Sequence, residues 1–249
     1  MDTLCDYQQY HLSGREWARY LLEGAGFCAL TAYVFYRSIP VFLAGLPLCC
    51  IYPLMKQKDL RQERKEQLRT QFKEAVLMLA SALSAGYSVE NAFAASARDL
   101  EELYGEEGMI TKEFTFISRQ LQMNRTVEAL LLEFAERSGV EEVRDFAEIF
   151  ALSKRSRGEL VSVVSHVVHV IGDRIQVREE ILNLTAEKKF EQRIMNLAPY
   201  LIVLYVDFTS PGFFGRMYDT GAGRLVMTVC LLLYGVAFYL SMKILETRI

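Results

Sequence analysis

From Leu68 onward the apolar positions fall on one side of a helix. Leu68, Phe72, Ala75, Val76, Leu79 and Leu83 recur at three- and four-residue spacing, with charged and polar residues between them. Gly86 supplies the backbone freedom that a residue just past a helix end requires. Ser88 is placed to cap the following helix, with Glu90 in its first turn where the dipole favours an anion. The pattern predicts a tight helical hairpin. Its small residues (Ala80, Ala82, Ala85, Ala92, Ala94, Ala95 and Ala97) would let the two helices approach closely.

The same logic carries on down the chain. A second helix is expected from Ser88 to Tyr104, closed by Gly105 and Gly108. A third runs from Ile110 to Met123, with Phe114, Ile117 and Leu121 on one face. Thr126 opens a fourth, striped by Val127, Leu130, Leu131 and Phe134 and ended by Gly139. A fifth, from Val140 to about Arg157, carries acid early and base late, as the macrodipole favours. Gly158 ends it, and a last helix from Glu159 to Asn196 follows. Tyr87-Ser-Val-Glu and Arg125-Thr-Val-Glu echo one another, so helix pairs recur, too weakly for a solenoid. Six antiparallel helices with short turns make a bundle.

The flanks read differently. Leu21–Tyr36 and Ile39–Met55 are apolar runs, each a little short of the roughly 20 residues that span a bilayer. Leu197–Phe214 and Leu225–Leu245 form a second pair. Lys56, Lys58, Arg61, Arg64 and Lys65 follow the second run directly, which marks that side as cytoplasmic. The expected division is a cytoplasmic segment at 1–20, a transmembrane hairpin at 21–55, a cytoplasmic helical domain at 56–196 and a transmembrane pair at 197–249. Both termini then share the domain's side. The first and last helices of the domain, at about 30 and 38 residues, reach roughly 45 and 57 Å, well beyond the inner ones.

Charge agrees with that division. Residues 56 to 196 hold 21 of the 28 Lys and Arg and 24 of the 31 Asp and Glu. A net charge of −3 with no basic stripe gives no reason to expect nucleic acid. Of five cysteines, Cys28, Cys49, Cys50 and Cys230 lie in apolar runs, and none has zinc-like spacing with a histidine. No phosphate-binding GxxxxGK[ST] loop or GxSxG elbow occurs, so neither a catalytic residue nor a cofactor or metal site is expected. His166 and His169 share a helix face, either as a packed or half-exposed pair or as two metal ligands lacking a third. Asp207 lies in an apolar run, either as an interfacial acid or as a proton carrier. A transporter or membrane-bound enzyme would use Asp207 with His166 and His169.

The bundle ends are the other candidates. Gly86, Arg125, Lys154, Arg155, Arg157 and Gly158 fall at one end. Asp99, Glu101, Glu102, Glu106 and Glu107 gather at the other. Such segregation suits either a solvated surface or a docked partner, since opposed patches steer association.

Several blocks resemble a known family. LASALSAGYSVENAF at 79–93, FAEIFALSKRSRGELVSVV at 146–164, EKKFEQRIMNLAPYLIV at 187–203 and SPGFFGRMYDTGAGRLVMTVCLLLYG at 210–235 are similar to the F-domain proteins of type II secretion and type IV pilus systems. Within these, the likeness is to the Flp/Tad-pilus platform proteins (TadB- and TadC-like). It covers about residues 56 to 245. Arg157 departs from the small residue usual before the Gly158-Glu159-Leu160 turn. The resemblance implies a single F domain on a multi-pass protein of the plasma or inner membrane, not itself an enzyme. It further implies contact with a hexameric cytoplasmic ATPase, with pilin or pseudopilin subunits and with a paralogous platform subunit, in homo- or hetero-oligomers. The ATPase-facing surface would be the end that carries Gly86, Arg125, Lys154, Arg155, Arg157 and Gly158.

Overall fold

A computed structural model describes residues 6–9, 12–49, 51–153, 160–210 and 212–246. Among them every regular element is a helix: α1 (Gly14–Tyr36), α2 (Ile39–Cys49), α3 (Ile51–Ser84), α4 (Val89–Tyr104), α5 (Met109–Gln122), α6 (Val127–Ser138), α7 (Glu141–Ser153), α8 (Leu160–Thr209), α9 (Gly215–Asp219) and α10 (Gly221–Glu246). The chain divides into two compact units. The first is Met1–His11 with Gln57–Arg178, and the second is Leu12–Lys56 with Glu179–Ile249.

The first unit is built on α3. All six residues of its apolar stripe are buried, and Phe72 meets Phe134 of α6 and Phe146 of α7 edge-on, with centroids 6.1 and 5.7 Å apart. Phe93 of α4 lies against Phe114 of α5 at 5.4 Å. These rings, with Phe150, sit in one continuous core. Burying each stabilises the fold by roughly 2–3 kcal/mol before the cost of ordering. The expected close hairpin of α3 and α4 is not what forms. α4 packs side by side with α5, and α6 with α7, while the α3 and α4 backbones stay further apart. Ala80, Ala92 and Ala97 are buried but Ala85 is exposed.

The helix boundaries follow local chemistry. The Ser88 hydroxyl accepts from the Asn91 amide at 3.3 Å, fixing the start of α4. Gly139, at φ 57°, ends α6 in the left-handed region. α7 is described as far as Ser153, and residues 154–159 lie outside the described residues.

The second unit is apolar both inside and out. Its core joins Val34 and Phe35 of α1, Tyr200 of α8, Tyr218 of α9 and Met227 of α10. The hydroxyls inside it are partnered. Tyr218 donates to the Val34 carbonyl at 2.7 Å, Tyr36 to Thr228 at 2.8 Å and Tyr234 to the Asn196 carbonyl at 2.8 Å. Its outer surface is aliphatic and aromatic, with Leu201, Ile202, Tyr205, Leu225, Leu232, Leu233 and Val236 all exposed.

Among the described residues one helix, over Gly221–Ile244, is long and apolar enough to cross a membrane. Of the other three runs, two differ from their expected form. Ile39–Met55 enters α2 and the start of α3, on either side of residue 50, which lies outside the described residues. α1 begins with Arg15, Glu16, Arg19 and Glu23, so its apolar part is short. Leu197–Phe214 enters α8 without a break at Pro199 and ends at Thr209.

Candidate functional site

Two turns at one end of the first unit are built alike. At the end of α3 the Gly86 amide donates to Leu83 at 3.0 Å and the Tyr87 amide to Ala82 at 3.2 Å. At the end of α5 the Asn124 amide donates to Leu121 at 3.0 Å and the Arg125 amide to Gln120 at 3.1 Å. Both are Schellman closures, with Gly86 (φ 90°) and Asn124 (φ 62°) as the left-handed residues. Tyr87 and Arg125 thus occupy equivalent positions, each followed by a hydroxylic residue, a valine and a glutamate. The sequence echo is a structural one.

Because α4 and α5 pack side by side about the Gly105–Gly108 turn, these closures share an end. The pairing of α6 with α7 adds Leu152 to it. Tyr87, Met123 and Leu152 are exposed there, each by more than half. Of the expected docking residues, Gly86 and Arg125 are at this end and exposed. Lys154, Arg155, Arg157 and Gly158 lie outside the described residues. Arg125 is not a free cation: it pairs with Glu133 at 3.0 Å, both partly exposed. Such a surface pair is worth at most about 1 kcal/mol, so a partner's carboxylate can displace it. The sequence pattern gave the turn positions but not the apolar Tyr87, Met123 and Leu152 between them. Only their exposure next to a polar turn marks them.

At the other end the acids Asp99, Glu101, Glu102, Glu106 and Glu107 are exposed, and Glu107 pairs with Lys112. Deeper in the unit, Arg69 of α3 donates to Glu142 of α7 at 2.8 Å and also to Glu66. Arg178 of α8 reaches Glu66 at 3.2 Å. Arg69 and Glu142 are buried, so this alternating chain of charges ties three helices together. The Glu142 carboxylate, expected as a first-turn dipole partner, is committed to Arg69.

His166 and His169 are both exposed, while Val164, Val167 and Val168 beside them are buried. No group of three or more metal-ligating side chains forms among the described residues. In the second unit Asp207 forms an ion pair with Arg37, whose guanidinium also lies over the Tyr33 and Tyr218 rings at 5.5 and 5.3 Å. An apolar-walled groove beside Arg37 is lined by Ala29, Ala32, Tyr33, Ser38 and Phe42.

Comparison with known protein families, with curated proteins and with solved structures finds no match for this chain.

Proposed function

We propose that the chain is a multi-pass platform protein of the cell membrane in a Tad-pilus or type II secretion-like machine. In this reading both termini and the first unit lie in the cytoplasm. It couples a cytoplasmic ATPase to the extraction of pilin from the bilayer and the assembly of a pilus. The observation that carries the reading is the contrast between the surfaces of the two units. One has a phenylalanine core under a charged surface. The other turns a band of aliphatic and aromatic side chains outward along α8 and α10. An aliphatic exterior is stable only against another apolar phase.

The apolar helix at Gly221–Ile244 supports membrane residence. α3 and α8 each contribute residues to both units. The twin turns bearing Tyr87 and Arg125 support a docked partner, because they expose aromatic and apolar side chains beside a weakly held cation. The resemblance of the sequence blocks supplies the partners' identity.

Purification of the tagged chain from its native membrane tests this. A hexameric ATPase and a small pilin-like protein are expected to come with it. Recovery of neither, or nucleotide turnover by the chain alone, overturns the proposal.

A further inference from the structure

A short segment near the N-terminus is seated in the first unit as a ligand is. Tyr7 is 2% exposed and belongs to the unit's core, yet it comes from residues 6–9, a short turn outside every helix. Its amide donates to the Arg137 carbonyl at 3.2 Å, and its hydroxyl reaches the Met109 carbonyl at 3.4 Å. The Arg64 guanidinium lies over its ring at 5.2 Å. The Gln8 side chain donates to the Glu136 carbonyl and lies so close to Gly139 that a Cβ there would come within 3.1 Å of it. The Asp6 carboxylate accepts from the Gln8 amide at 2.8 Å, and its charge acts on Lys65, opposing the downward push of burial, Arg61 and Arg69 on that amine.

The walls of this socket hold themselves together without the segment. Arg137 of α6 grips Glu113 of α5 through two hydrogen bonds, and Lys65 of α3 donates to the Gly139 carbonyl at 3.1 Å. What holds the segment is one ring, one cation–π contact and a few bonds to carbonyls. Against them stands the entropy of ordering a short turn of chain. The opposing terms are of similar size, so seating is reversible.

We propose that this socket is a peptide-binding site. The chain's own Asp6-Tyr7-Gln8 segment occupies it reversibly, and the ligand class is a peptide with an acidic residue directly before a tyrosine. The acid caps the turn by accepting from the amide two residues on, the ring answers Arg64, and the hydroxyl answers the Met109 carbonyl. The inference concerns the first unit alone and stands or falls independently of the platform reading.

The test uses the full-length chain in detergent and a fluorescent synthetic peptide of residues 6–12. The peptide is expected to bind the Tyr7→Ala chain at least ten-fold more tightly than the wild-type chain, whose socket is filled. A peptide carrying the same Tyr7→Ala change is expected to lose at least ten-fold in affinity. Absence of binding to a Tyr7→Ala chain with wild-type helical content overturns the proposal. Hydrogen exchange on the wild-type chain covers a variant that fails to fold. The Tyr7 and Gln8 amides should exchange well before those of Leu68 and Phe72. Exchange of all four together, through unfolding of the whole unit, makes Tyr7 a fixed part of the core and also overturns it.

Discussion

The Glu113 carboxylate receives both terminal nitrogens of Arg137, at 2.8 and 2.6 Å, with the glutamate fully buried and the arginine mostly so. Burial alone lowers the affinity of the Arg137 guanidinium for its proton. The hydrogen bonds and charge of Glu113 outweigh that and hold it above its ordinary value. A paired arrangement of this kind offsets its desolvation only while both members are present. Arg137→Met is therefore expected to destabilise the first unit by about 3 kcal/mol, because it leaves a carboxylate buried without a counter-charge. Glu113→Leu combined with Arg137→Met should recover most of the loss. Urea unfolding of the two variants, followed by far-UV circular dichroism, measures the difference. Equal losses in single and double variants would show that the pair is not what holds α5 to α6.

The two Schellman closures allow a cleaner comparison. No atom lies within 4 Å of the position a Cβ would take at Gly86, so the glycine is required by its φ of 90° rather than by space. Gly86→Ala is expected to cost about 1 kcal/mol through backbone strain alone. Asn124 already tolerates φ 62° with a side chain, so Asn124→Gly should change stability by only a few tenths of a kcal/mol. Thermal melting of both variants decides it. A large loss at Asn124 with none at Gly86 would reverse the assignment.

How much of this was legible in the sequence depended on distance along the chain. Capping and stripe signals act over a few residues. They placed α4, α5 and α6 within a residue or two and identified all of Leu68, Phe72, Ala75, Val76, Leu79 and Leu83 as core. Partners are another matter. Glu66 and Arg178 are 112 positions apart, Arg69 and Glu142 are 73 apart, and Tyr7 and Met109 are 102 apart. A helical stripe says which face is buried but not against what. For that reason the pairing of α4 with α5 displaced the expected hairpin, and Tyr7 carried no signal at all.

Arg37 and Asp207, 170 positions apart, separate the two functional readings. The carboxylate already has a counter-charge, and the arginine is further held by Tyr33 and Tyr218. Asp207→Asn is therefore expected to cost about 1 kcal/mol of stability and to leave pilus assembly within a factor of two. The same holds for His166→Ala and His169→Ala, whose side chains are exposed. A transporter or membrane-bound enzyme working through these residues would instead lose all activity in the same variants. Pilus counts by electron microscopy, in cells expressing each variant at wild-type level, give the answer.

The docking surface is tested at the twin turns. Tyr87 and Arg125 hold equivalent positions, so removing both should cost more than removing either if one partner covers them together. Tyr87→Ala is expected to weaken co-purification of the ATPase about ten-fold, as loss of an exposed aromatic anchor does. Arg125→Glu should do so as well, since it places two carboxylates, its own and that of Glu133, where one cation stood. Charge reversal at Arg155 and Arg157, which lie outside the described residues, is expected to act in the same direction. Membrane recovery of every variant should match wild type, because none of these positions lies in the second unit. Raising the salt concentration separates the two contributions. The deficit of Arg125→Glu should shrink as screening removes the repulsion, while that of Tyr87→Ala persists. Unaltered co-purification in the Tyr87→Ala, Arg125→Glu double variant would move the ATPase contact away from this end.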